Sequence, residues 1–186
     1  MNKNYVFVIL LSSLVGCASV RNPSVEELDA LDNPPQNVVE KIDRFFPAVL
    51  DWFNLTEADL RPFGRPLSVR EQETARKLGV EYPEDVRVLV VQKLPIPSDP
   101  ELKREAERYG LGSFFEMGRT MGHVILLKPR VADNASVLVH ELVHVSQFDR
   151  LGRNAFLRRY IVEMEMMGYA RAPMELEAFA KQKEVR

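Results

Sequence analysis

The chain has 186 residues, of which 46% are hydrophobic and 28% charged, and a formal net charge of −2. This length suits one domain with a real core, and the composition excludes collagen-like, disordered and multi-span membrane classes. Lysines and arginines are scattered rather than gathered in a stripe, so no nucleic-acid partner is expected.

Taken in chain order, Lys3 precedes an apolar run from Tyr5 to Val15, the length of a signal-peptide core and too short to span a bilayer comfortably. The run ends in Leu14-Val15-Gly16-Cys17, which resembles the lipobox of bacterial lipoproteins. That resemblance implies a signal peptide over 1–16, cleavage before Cys17, and lipid, palmitate included, on Cys17 as a membrane anchor. Ala18 stands where an aspartate would imply inner-membrane retention, so the cell envelope, at an outer membrane facing the periplasm, is the expected location. The alternatives are an ordinary secretory signal and an uncleaved anchor. Cys17 is the only cysteine, so no internal disulfide can form and the fold must rest on its core, which favours a metal site. Residues 17–36 are polar, contain Pro23, Pro34 and Pro35, and read as a flexible tether to a folded domain over 37–186.

Val38, Ile42, Phe45, Val49 and Phe53 recur at three- and four-residue spacing, which predicts an amphipathic helix kinked at Pro47. Thr56 to Asp59 and Ser68 to Glu71 each place a hydroxyl three residues before a carboxylate, predicting two further helix starts. Asp85 to Val91 and Gly122 to Leu127 are rich in β-branched and apolar residues and read as strands, with a charged surface helix over Asp99 to Tyr109 between them. The pattern after Pro129 is helical. The expected class is α+β, a short sheet preceding a helical C-terminal half.

That half contains His140-Glu141-Leu142-Val143-His144. On a helix, positions i and i+4 share a face, so His140 and His144 can hold one ion, and Glu141 can reach a water on it as a general base. Asp133, Asn134 and Ser136 are candidate N-caps for this helix, and Gly152 can end it. The chain has three histidines in all, so a third ligand after His144 must be a carboxylate. Gln147 shares the face of His144 and is either a hydrogen-bonding support or a plain polar residue. His123, in the second strand, is a candidate cleft residue or a structural one. Phe156, Leu157, Tyr160, Ile161 and Met164 form a stripe read as core.

From His140 to Gln147 the sequence resembles the zincin metallopeptidases, and especially small bacterial metallopeptidase-like domains in which an arginine-proline-leucine segment, here Arg65-Pro66-Leu67, and a strand precede the histidine helix. Pro173 to Ala180 resembles the glutamate-bearing helix of the gluzincin group, in which the ligand precedes an alanine by three residues and an aspartate by four. Glu175 aligns with that ligand, Phe179 replaces the aspartate, and Glu177 is the alternative, as is no carboxylate ligand at all. Tyr160 or Tyr169 would donate to the oxyanion. The resemblance implies a zincin-like fold and a Zn2+-dependent hydrolase that cleaves peptide or protein substrates with zinc-bound water and Glu141 as base. A cell-wall amidase shares that chemistry. The alternative from another class is a non-catalytic envelope adaptor with a structural or lost metal.

Overall fold

The computed structural model describes residues 21–184, so the expected signal peptide and Cys17 lie outside the described residues. Ser24 Oγ accepts from the Glu27 amide at 3.3 Å while the Glu27 carboxylate accepts from the Ser24 amide at 2.8 Å. This reciprocal box satisfies two orphan amides and starts helix α1 (Val25–Asp32). The tether expected over 17–36 is therefore corrected for its described part, residues 21–36. Leu31 is buried in a cluster with Ile42, Ile161 and Val162, and Glu27 pairs with Arg171, so burial and charge hold the segment on the domain.

Helix α2 (Gln36–Leu60) buries Ile42, Phe53 and Glu57 and is continuous across Pro47. It also runs through Thr56, so the second helix start expected there does not exist. The local pattern is that of a cap, but burial of Phe53 and Glu57 on either side keeps the chain helical. Ser68 does cap as expected, with Glu71, and begins α3 (Val69–Lys77).

The sheet is mixed. Strand β1 (Arg65–Pro66) pairs antiparallel with β2 (Arg87–Val90), β2 lies parallel to β4 (Val124–Leu127), and β4 pairs antiparallel with β3 (Gly118–Met121), giving the order β1-β2-β4-β3. The second expected strand, Gly122 to Leu127, begins only at Val124, and β3 before it was not expected. Gly122 and His123 form a two-residue hairpin between β3 and β4, and Gly122 supplies the positive φ of 64° that such a tight turn needs. Helix α4 (Pro100–Arg108), capped by Asp99, fills the crossover from β2 to β3.

All four residues of β4 are buried. Their period of two sends Ile125 and Leu127 into one core cluster with Leu67, Val86, Val88 and Leu142, and Val124 and Leu126 into another with Phe53, Phe148, Phe156 and Met174. Three helices complete the fold: α5 (Ala135–Leu151), α6 (Arg153–Met167) and α7 (Pro173–Lys183). The class is α+β as expected, seven helices and four strands among the described residues, with the helical half at the C-terminal end. No helix among the described residues is long and apolar enough to cross a membrane.

Candidate metal centre

Asn134 is the cap that starts α5, its side chain accepting from the Ser136 and Val137 amides. Gly152, at φ 74°, ends α5 and opens α6, so the chain reverses sharply and brings α6 and then α7 back over α5. The first turn of α7 has no side-chain cap of its own. Glu163 of α6 supplies one, its Oε2 accepting from the Met174 amide at 2.8 Å while Arg159 Nε donates to Oε1 at 2.7 Å. This contact fixes where Glu175 falls.

The structure brings His140, His144 and Glu175 together, all three buried, as a group that can hold a metal ion. The two Nε2 atoms lie 3.2 Å apart, His140 Nε2 lies 3.3 Å from Glu175 Oε2, and His144 Nε2 lies 3.3 Å from Glu175 Oε1. Glu175 Oε2 is buried without a hydrogen-bond donor, a costly arrangement for a carboxylate that an ion would relieve. Burial alone would raise the Glu175 carboxyl, but the two histidines outweigh it and hold the group well below the usual range. Burial likewise opposes a charged His144, and Glu175 prevails, pushing it up to about 9. The pocket is thus built to hold positive charge against an ionised glutamate.

The neighbours orient these donors. Gln147, fully buried, faces His144 Nδ1 through Oε1 at 2.8 Å and donates through Nε2 to the Met174 carbonyl at 3.0 Å. With the amide in that orientation, His144 Nδ1 carries the proton and Nε2 is left as the ligand atom. Tyr160 donates to Glu175 Oε1 at 2.8 Å, and burial keeps that phenol protonated. His140 Nδ1 is buried with no hydrogen-bond partner, and Phe179 packs against its ring at 4.8 Å between centroids, so an apolar contact stands where a carboxylate would orient the imidazole.

Glu141 sits one position round the helix from His140 and faces strand β3. Its Oε2 accepts from Thr120 Oγ1 at 2.8 Å, and the same hydroxyl lies 3.0 Å from the Glu141 carbonyl. Burial raises this carboxyl, against the pull of His144 and His140. Glu141 Oε1 faces Gly118, where a β-carbon would come within 2.7 Å. Strand β3 therefore abuts the glutamate only because the residue at 118 has no side chain.

His140, Glu141, His144 and Glu175 all line a cavity of about 460 Å3, with Thr120, Tyr160 and Tyr169 beside them. Two expected candidates fall elsewhere. Glu177 accepts from Gln147 Nε2 at 2.9 Å and pairs with Arg150, so α7 turns it away from the histidines and towards the end of α5. His123 lies in the hairpin turn, 2.8 Å from Asp149 and against Phe148, and is not part of the cavity wall. Three residues that act on the centre escaped the sequence reading: Thr120, Gly118 and Glu163. No periodicity marks a four-residue strand such as β3, and a cap donated from another helix leaves no local pattern.

The chain matches no family model, no characterised protein and no solved structure among those compared with it.

Proposed function

We infer that the protein is a zinc-dependent hydrolase of peptide bonds, zincin-like in its chemistry and held in the cell envelope by lipid on Cys17. The observation that carries this reading is the buried triangle of His140, His144 and Glu175 with Glu141 fixed at its side, all four opening on one cavity. Ligand atoms about 2.0–2.1 Å from a tetrahedral zinc lie about 3.3 Å from one another, and two imidazoles with one carboxylate leave the open position that a catalytic site needs. The donor separations of 3.2 and 3.3 Å match that spacing.

The ion, when bound, supplies Lewis acidity, polarising the scissile carbonyl and lowering the pKa of the attacking water. Thr120 holds Glu141 Oε2, which leaves Oε1 to take the proton from water and deliver it to the leaving nitrogen. Gln147 and Tyr160 keep His144 and Glu175 in register. Tyr169, half-exposed on the cavity wall, its phenol raised by partial desolvation and by the Glu175 carboxylate, is the donor for the developing oxyanion.

The test is elemental mass spectrometry on a form beginning at Ser19, purified without added metal or chelator. About one zinc per chain is expected, lost in His140→Ala and Glu175→Ala. Glu141→Gln should keep the zinc and lower kcat/KM by roughly 10²–10⁴. A folded protein with no tightly held zinc overturns the reading. It would leave the non-catalytic adaptor, which the unsupported His140 Nδ1 favours.

A further inference from the structure

The candidate metal donors stand in the cavity wall with Glu141, Thr120, Tyr160 and Tyr169, and most of the remaining wall is hydrocarbon. Away from the metal donors it passes between helices, along Phe45, Val49 and Trp52 of α2, Leu102 and Ala106 of α4, and Ile161 of α6. From Phe45 to Phe53 on α2, and again from Phe156 to Met164 on α6, the lining extends over about 12 Å of helix at 1.5 Å per residue. The volume of about 460 Å3 is roughly three times the ~150 Å3 void that accepts a benzene ring. One apolar side chain would leave most of this space unfilled.

Two or three peptide units would fill it, but they would carry amides and carbonyls into a wall with few free partners. Most of the charged and phenolic side chains there are already engaged, although Arg119 Nη2, ion-paired with Glu116 at 2.6 Å, is buried without a hydrogen-bond partner. Arg119 Nε donates to Glu116 at 2.7 Å, the Tyr109 hydroxyl donates to Glu165, and Glu105 pairs with Lys41. A hydrocarbon chain fills the same length and brings no polar group. The cavity also has an apolar rim, since Phe115 is part of its wall while 81% exposed, with Met117 next to it. Such a rim suits an amphiphile entering chain first.

From this we propose that the cavity takes the linear acyl chain of an N-acylated peptide, with the amide that joins chain to peptide lying at the metal end. The cleavage, though not the binding of the chain, rests on the hydrolase reading above. Water adds across that C–N bond. Its oxygen stays on the acyl carbon as a carboxylate, its proton passes through Glu141 to the nitrogen, and the peptide leaves as an amine with no change of oxidation state.

Trp52 is the only tryptophan of the chain and lies in the cavity wall, so its fluorescence reports occupancy without any turnover. Metal-free protein from Ser19 onward, which contains every element described above, is titrated with hexanoyl-, octanoyl-, decanoyl- and dodecanoylglycine below their micelle-forming concentrations. Each pair of added methylenes should tighten Kd by about fifteenfold, from about fourfold per methylene, until the cavity is full. Val49→Phe and Ala106→Phe narrow the cavity away from the metal end. In either variant that folds, hexanoylglycine should bind as before and dodecanoylglycine should lose its advantage. No Trp52 response, affinity independent of chain length, or a dodecanoyl advantage untouched by both variants overturns the proposal. If zinc-loaded protein cleaves unacylated peptides and the chain-length series is flat, this inference fails and the hydrolase reading stands. If the series appears in a protein that holds no zinc, the chain assignment stands and the hydrolase reading fails.

Discussion

On the proposed hydrolase reading, replacing Gly118 by alanine should separate the role of Glu141 from that of the metal donors. A β-carbon at this position meets Glu141 Oε1 at 2.7 Å and Leu127 Cδ2 at 3.0 Å, against an ordinary contact that begins near 3.4 Å. The carboxylate must therefore retreat by about 0.7 Å, and Thr120, bonded to the other oxygen at 2.8 Å, turns that retreat into a rotation. A misplacement of ~1 Å at a reacting group costs up to about 10²-fold in rate, so kcat should fall about 10- to 100-fold. Gly118 does not have a positive φ, so alanine brings no backbone strain, and crowding against Leu127 should cost about 1–2 kcal/mol of stability. The metal donors are untouched. The assay pairs kcat and KM on an acylated or plain peptide with zinc content and a thermal melt for Gly118→Ala and wild type. Full activity in the variant would refute Glu141 as the base in this position. Loss of zinc would refute the independence of base and ligands.

Gln147→Leu keeps the buried volume but leaves His144 Nδ1 without its acceptor, so zinc affinity, measured by competition with a chelating dye, should weaken about 10- to 100-fold. Gly122→Ala combines a positive φ with a β-carbon that would overlap the Glu57 carboxylate, which accepts from the His123 amide and pairs with Arg153. It should lower unfolding free energy by about 3 kcal/mol in urea, and a loss below about 1 kcal/mol would contradict the packing described. Glu165 resists burial's upward push and is held down to about 2 by Tyr109, Arg108 and Lys41. Its folded-state value is depressed, so its contribution to stability is fully present above about 4.5 and lost as pH falls towards 2. The melting difference between wild type and Glu165→Gln should accordingly be largest near neutrality and shrink across that window.

The centre was legible where its chemistry depends on one helix and illegible where it depends on several. His140, Glu141 and His144 share a spacing that a helix converts into a site, and Pro173 marked the turn that carries Glu175. The same capping pattern was informative at Ser68 and misleading at Thr56, because the buried side chains of Phe53 and Glu57 decide the second case. Ser24 and Glu27 carried that pattern too, within a proline-bearing stretch, and docking of Leu31 is what makes it a helix on the domain. His123 was placed on a strand face, whereas the hairpin turns there and Asp149 takes the ring. Strand β3, with Gly, Arg, Thr and Met, has no alternation to read, so its part in positioning Glu141 had to await the fold.

The cap that Glu163 lends to Met174 also orders events in time. His140, Glu141 and His144 emerge from the ribosome well before Glu175, and α7 has no side-chain cap of its own with which to set its first turn. A chain that has not yet docked α7 thus has the two histidines of the candidate centre without the carboxylate that closes it. On the hydrolase reading proposed above, competence arrives only when α6 has folded back and received the last helix, so an unfinished chain cannot yet cut.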